Sequence, residues 1–148
     1  MVVSGAGRAR DDVSRVWTIV VAGGAGVRFG GRKQFAEIDG ESVLQRSVVG
    51  AAGVSEGVVI VVPEDALGAH DVETPGTTEL VVVAGGSSRA KSVRAGLAAV
   101  PGDCDIVLVH DAARPLATAR LFSRVVDAVE AGAEAVVPGV ELTDSMRL

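Results

Sequence analysis

The chain has 148 residues, enough for one domain with a real core. Hydrophobic residues make up 48%, mostly Val, Ala and Leu, with three Phe, one Trp and no Tyr, a composition suited to strands buried on both faces. A net charge of -5 argues against a nucleic-acid polymer as partner, no apolar run approaches the roughly 18 residues of a membrane helix, and the one cysteine, Cys104, excludes an internal disulfide, as expected of a cytoplasmic protein.

Residues 1–17 carry Arg8, Arg10, Asp11, Asp12 and Arg15 but no apolar segment of signal-peptide type, and are expected to form a disordered extension. The nucleotide-binding domain is then expected over 18–148. A short buried strand is predicted over 18–22, running into the glycine loop Gly23-Gly24-Ala25-Gly26. Leu44, Val48 and Ala51 or Ala52 recur at helical spacing, so 41–52 is read as a helix stopped by Gly53. A second strand over 58–62 ends at Pro63, and 64–78 are irregular apart from a helical turn at 64–68. A third strand over 80–84 leads into Gly85-Gly86-Ser87-Ser88, where Ser88 can cap a helix over 89–100. A fourth strand covers 106–109. Thr118 can cap a helix over 119–131, with Leu121, Phe122, Val125, Val126 and Val129 on its core side and Gly132 at its end. A fifth strand is predicted over 135–137. Strands alternating with helices imply right-handed βαβ units, an α/β fold with a mostly parallel sheet, and ligand binding at the carboxyl ends of the strands.

The polar residues of three loops fall at those ends. Gly23, Gly24 and Gly26 let backbone N–H groups approach phosphate oxygens, and Arg28 and Lys33 add cations, which favours a phosphate cradle over a plain tight turn. The dinucleotide fingerprint fails, because Gly24, Gly26 and Gly30 give G-x-G-x-x-x-G and no acid follows at the right distance. The P-loop fails too, since Gln34 follows Lys33. Asp111 ends an apolar strand, where it could hold Mg²⁺ bridging phosphates or cap the next turn. Arg114 could pair with Asp111 or order the loop. His110 reads as a packed, hydrogen-bonded histidine. Arg89, Lys91 and Arg94 sit in the first turns of a helix, where cations oppose the macrodipole and imply a compensating anion. Ser92 could donate to a nucleobase or phosphate, or be an ordinary helix residue.

These segments, A-G-G-x-G-x-R with K-Q-F, then G-G-S-S-R-x-x-S-V-x-x-G-L, then V-H-D-A-A-R-P, run in the order seen in a known family. The chain from Thr18 to about Leu148 resembles the 2-C-methyl-D-erythritol 4-phosphate cytidylyltransferases of non-mevalonate isoprenoid synthesis; the ribitol-phosphate cytidylyltransferases carry much the same set. The resemblance implies a Rossmann-like three-layer sandwich of the nucleotide-diphospho-sugar transferase type. It implies attack of a polyol phosphate on the α-phosphorus of CTP with loss of pyrophosphate, with Mg²⁺ as cofactor. By position, Arg28 and Lys33 would hold the triphosphate and its transition state, with the backbone from Ala22 and Gly23 to Gly26 around the phosphates. Gly85, Gly86, Ser87, Arg89 and Ser92 would surround the cytosine and ribose, with Ala112 packed at the ribose. Asp111 would be the metal-side acid. Thr143-Asp144-Ser145-Met146-Arg147 is similar to the family's D-T-[IM]-K segment, which puts Ser145, with Arg114, at the acceptor substrate.

Arg32 stands where the family has a proline before its lysine, and the loop between Arg28 and Lys33 is short for the family. Family members continue past the equivalent of Leu148 into a dimerising arm, a second strand-end acid and an acceptor-binding lysine, so the acceptor half is expected to be incomplete and full-length members to be homodimers. Ribitol phosphate as acceptor and a non-catalytic nucleotide-binding remnant are the competing expectations.

Overall fold

In β-strands alternate residues face opposite ways, and in this chain both sets are apolar. The computed structural model describes residues 2–4, 13–23, 36–68 and 71–140. Seven strands are described: β1 (Val2–Ser4), β2 (Val16–Val21), β3 (Glu37–Ile38), β4 (Glu41–Ser42), β5 (Gly57–Val62), β6 (Glu79–Ala84) and β7 (Ile106–Asp111). The helices are α1 (Val43–Ala52), α2 (Arg89–Ala98) and α3 (Ala119–Glu130). The main sheet has the order β1-β7-β2-β5-β6, with β7, β2, β5 and β6 parallel and β1 antiparallel on the β7 edge.

Val16, Val20, Val58, Ile60, Val62, Ile106 and Leu108 face α1 and α3, where Leu44, Val48, Phe122 and Val125 close the larger core. Trp17, Ile19, Val59, Val61 and Val107 face the other way. There α2 lies against β2 and β5, which completes three layers. Trp17 is 2% exposed, and its indole fills the space a side chain at Gly57 would need. α2 buries only Ser92 and Gly96, so its seat on the sheet depends on close approach at Gly96.

The predicted caps are present. Ser88 accepts from Lys91 N and Thr118 from Leu121 N, each satisfying an orphan donor of the first turn. Other expectations need correction. The helix placed over 41–52 starts at Val43, because Glu41–Ser42 pair with Glu37–Ile38 in a small hairpin turned by Asp39 (φ 54) and Gly40 (φ 80), and Ser42 becomes the cap. The helix placed over 89–100 ends at Ala98. The extension expected over 1–17 contains β1, and Val16 and Trp17 already belong to β2; residues 1 and 5–12 lie outside the described residues. The fifth strand over 135–137 does not form. The edge of β7 is occupied by β1, whose Val2, Val3 and Ser4 register with Leu108, Val107 and Ile106. Pro138, without an N–H, further disfavours a strand there, and Val136 packs against the core instead.

At the amino ends of the strands, Arg15 ties three segments together. Its Nε donates to Glu56 at 2.8 Å, its guanidinium also pairs with Asp103, and its N donates to Asp105 Oδ2 at 2.9 Å. Cys104 is half-buried beside it, and burial pushes its thiol pKa up. No helix among the described residues is long and apolar enough to cross a membrane.

Candidate functional site

The chain leaves β2 toward β5 and returns from β6 through α2 to β7 on the other side of β2. This reversal opens a crevice beyond the carboxyl ends of β2 and β7, the usual ligand position in such sheets. Val21 and Asp111 lie opposite each other at its floor. Ala22 N donates to Val61 O at 2.8 Å, and Ala112 N to Val21 O at 3.0 Å, so both strand ends are held by neighbouring strands.

Gly85 and Gly86 form one wall. Gly85 N donates to Val62 O at 2.7 Å. Ser92 is 3% exposed; its Oγ accepts from Gly86 N at 3.2 Å and lies 3.4 Å from Gly86 O. A Cβ at Gly85 would stand 2.8 Å from that hydroxyl, so the loop and the helix close on each other only with glycine there. In this state Ser92 therefore shapes the wall. Gly23 faces the same hydroxyl from the β2 side, 3.5 Å from where its Cβ would be. Ser87 is exposed and accepts from Lys91 Nζ at 3.0 Å.

Across the crevice, Arg89 Nε and Nη2 both donate to Asp111 Oδ1, at 3.1 and 3.0 Å. Arg114 Nε lies 3.9 Å from Asp111 Oδ2, and Arg114 N donates to Asp111 O at 3.0 Å. The anion that α2's leading cation calls for is thus Asp111. The side chains are 60% (Arg89), 79% (Arg114) and 37% (Asp111) exposed, so the pairs contribute little to stability and can exchange for ligand. Ala112 is buried in the turn between them. Arg28, Lys33, Gly24, Gly26 and Ser145 lie outside the described residues. The structure thus brings together Ala22, Gly23, Gly85, Gly86, Ser87, Arg89, Ser92, Asp111, Ala112 and Arg114.

Among the described residues no three His, Cys, Asp or Glu side chains gather to hold a metal alone. Asp111 is one hard oxygen ligand at an open strand end. That suits Mg²⁺, which keeps waters and binds through one or two carboxylates plus substrate phosphates. The donor set fits a metal that arrives with a polyphosphate.

His110 points into the α3 side of the sheet. It is 8% exposed, meets Phe122 edge-on at 5.1 Å, and its Nε2 has no hydrogen-bond partner. It is packed as expected, but it is not fully bonded. It borders a cavity of about 70 Å³ shared with Leu108, Phe122, Val125 and Val136. Burial is the largest influence on His110 and lowers its pKa; the nearby Asp111 charge opposes this. The unfolded chain therefore binds the proton more tightly, and stability is lost as pH falls through the ordinary histidine value of about 6.5. Urea midpoints should drop between pH 7.5 and 5.5, and His110→Phe should flatten that part of the profile. An unchanged slope in the variant would assign the acid sensitivity to other groups.

One contact was not signalled in the sequence. Ser47 of α1 places its hydroxyl 3.0 Å from Ala112 O, in the turn after Asp111. It sits among Leu44, Val48 and Ala51, where apolar periodicity hides a serine.

A profile of the family described as IspD, 2-C-methyl-D-erythritol 4-phosphate cytidylyltransferase, matches residues 16–148. A Rhodococcus jostii protein named 2-C-methyl-D-erythritol 4-phosphate cytidylyltransferase is 43% identical, covering 93% of this chain and 61% of the relative. A Streptomyces coelicolor protein of the same name is 41% identical, covering 90% of this chain and 53% of the relative. The chain thus spans less than two thirds of these relatives' length. A solved Mycobacterium tuberculosis H37Rv protein, Rv0371c in complex with manganese, shares the fold at a TM-score of 0.60 and 18% identity, over 80% of this chain and 61% of that one.

Proposed function

The chain belongs to the 2-C-methyl-D-erythritol 4-phosphate cytidylyltransferase family, and from that premise we propose that it carries the nucleotide site of an enzyme transferring CMP from CTP to 2-C-methyl-D-erythritol 4-phosphate, with release of pyrophosphate. The observation that carries this reading is the meeting of Arg89, the first residue of α2, with Asp111, from the end of β7, across the crevice beside β2. It joins a cation for phosphate to a carboxylate for a metal.

The acceptor phosphate oxygen attacks the α-phosphorus in line, and the bond to pyrophosphate breaks. Catalysis of this kind is positioning and charge stabilisation, with no covalent enzyme intermediate. The Gly85–Gly86 wall, braced by Ser92, receives the cytosine and ribose, and Ala112 lies under the ribose. Arg89 turns from Asp111 to phosphate when nucleotide enters. Arg28 and Lys33 hold the triphosphate, and Arg114 and Ser145 meet the acceptor. Asp111 would hold a divalent ion, here proposed to be Mg²⁺, which would neutralise phosphate charge. The manganese in the Rv0371c structure accords with a divalent ion on this fold. The unpaired Cys104 suits the reducing cytoplasm, where full-length members of the family are proposed to act as homodimers.

Chemical unfolding with CTP and Mg²⁺, against ATP or GTP, tests the pyrimidine reading. A ligand at a hundred times its dissociation constant adds about 2.7 kcal/mol. CTP should stabilise the chain more than either purine nucleotide, because the Gly85–Gly86 wall closes tightly on Ser92 and admits a small base. Equal stabilisation by all three would sink the assignment. Pyrophosphate release with methylerythritol phosphate then separates turnover from binding.

A further inference from the structure

Ser47 is 1% exposed on the face of α1 that packs against the sheet. A buried hydroxyl there needs a partner, and alanine would make the better helix former. Its one proton has two carbonyl acceptors at 3.0 Å, Val43 O in its own helix and Ala112 O across the core. Val43 O stands where the helix's own i→i−4 N–H bond is made. Ala112 O is in a turn, and among the described residues Ser47 is the donor it receives. The other side of Ala112 is fixed to β2 through its N–H and Val21 O at 3.0 Å. The peptides on both sides of the Ala112 Cα are therefore anchored, one to the sheet and one to α1. Asp111 immediately precedes this anchored residue, and Arg114 N closes the turn back onto Asp111 O.

We propose that Ser47 is a positioning residue for Asp111: by holding the Ala112 carbonyl it fixes the turn that aims the Asp111 carboxylate at a metal–nucleotide. This rests on the function proposed above. Ser47 touches no ligand and acts only through the turn. Asp111 is half exposed and otherwise held by two solvent-facing arginines, so its aim depends on its backbone.

The test compares Ser47→Ala with Ser42→Ala in the full chain. Ser42 caps the same helix by accepting from Gln45 N at 3.0 Å, whereas it is Ser47 that donates to Ala112 O. CTP affinity is measured by calorimetry in EDTA and in excess Mn²⁺, and the ratio is the readout. Loss of a group that orients a metal ligand typically costs 10–100-fold in metal affinity. Ser47→Ala should cut the metal-dependent gain by about tenfold and leave affinity in EDTA within about twofold. Ser42→Ala should lower the melting temperature while keeping the parental ratio. Ser47→Cys, a weaker donor of similar shape, should fall between parent and alanine, and it serves if Ser47→Ala does not fold. A parental ratio in the Ser47 variants, or the same loss in Ser42→Ala, overturns the positioning role and leaves the nucleotide reading standing. A parental chain that binds no CTP, or binds it without response to Mn²⁺, overturns both.

Discussion

Asp111→Ala is expected to abolish the metal-dependent part of CTP binding while leaving the fold intact. The carboxylate closes β7 at the crevice and is the strand-end acid there. Partners that merely orient a metal ligand cost 10–100-fold when removed, so removing the ligand itself should cost at least about 100-fold, or about 2.7 kcal/mol. The sign in EDTA separates this from general damage. Asp111 occupies Arg89 in the free chain through two N–H donors. Its loss releases that cation for phosphate, so CTP without metal should bind as well as before or more tightly. Stability should change little, because the ion pairs face solvent. Calorimetric titrations of parent and variant, with Mg²⁺ and with EDTA, decide it; an equal metal response in both would remove Asp111 from the metal site.

Gly96→Val should be the most damaging change on the α2 face. A Cβ at 96 would lie 2.5 Å from Ile19 Cγ2 and 2.9 Å from Val61 Cγ2, and both of those side chains are 0% exposed. Valine regains only a few tenths of a kcal/mol over glycine in helix propensity, whereas overpacking costs about 1–3 kcal/mol. The clash wins, and a net loss of about 1–2.5 kcal/mol should appear in the urea midpoint. α2 also carries Ser92 and Arg89, so lifting it off the sheet should weaken CTP binding in the fraction that remains folded. A variant within about 0.5 kcal/mol of the parent would show that α2 does not depend on this contact.

Where sequence reading succeeded, the information was local. Ser88 and Thr118 cap their helices because each satisfies an orphan N–H three residues on, and that relation is written in adjacent residues. The four parallel strands are visible as apolar runs closed by Gly23, Pro63, Gly85 and Asp111. Pairing with distant partners was not visible. Val2–Ser4 is too short to stand out as a strand, and apart from Pro138 after 135–137 no local pattern says which segment takes the edge of β7. The second arm of the small hairpin, Glu41–Ser42, reads as the start of a helix because it directly precedes the apolar repeat. In the site, the glycine wall, Arg89, Asp111 and Arg114 were legible from loop chemistry. That Arg89 would meet Asp111, and that Ser47 would reach Ala112, depends on the β2 reversal and the packing of α1, which no local pattern encodes.

Trp17 gives the chain an intrinsic optical label. It is the sole tryptophan, and no tyrosine competes with its emission. Its ring is sealed beside Gly57 and Val107, at the end of the sheet opposite the crevice. Fluorescence should be blue-shifted in the native state and move to longer wavelength only on global unfolding. Nucleotide arriving at the far end of the strands should leave it silent. One fluorometer trace can therefore follow the folded population in every titration described above without being confounded by ligand occupancy.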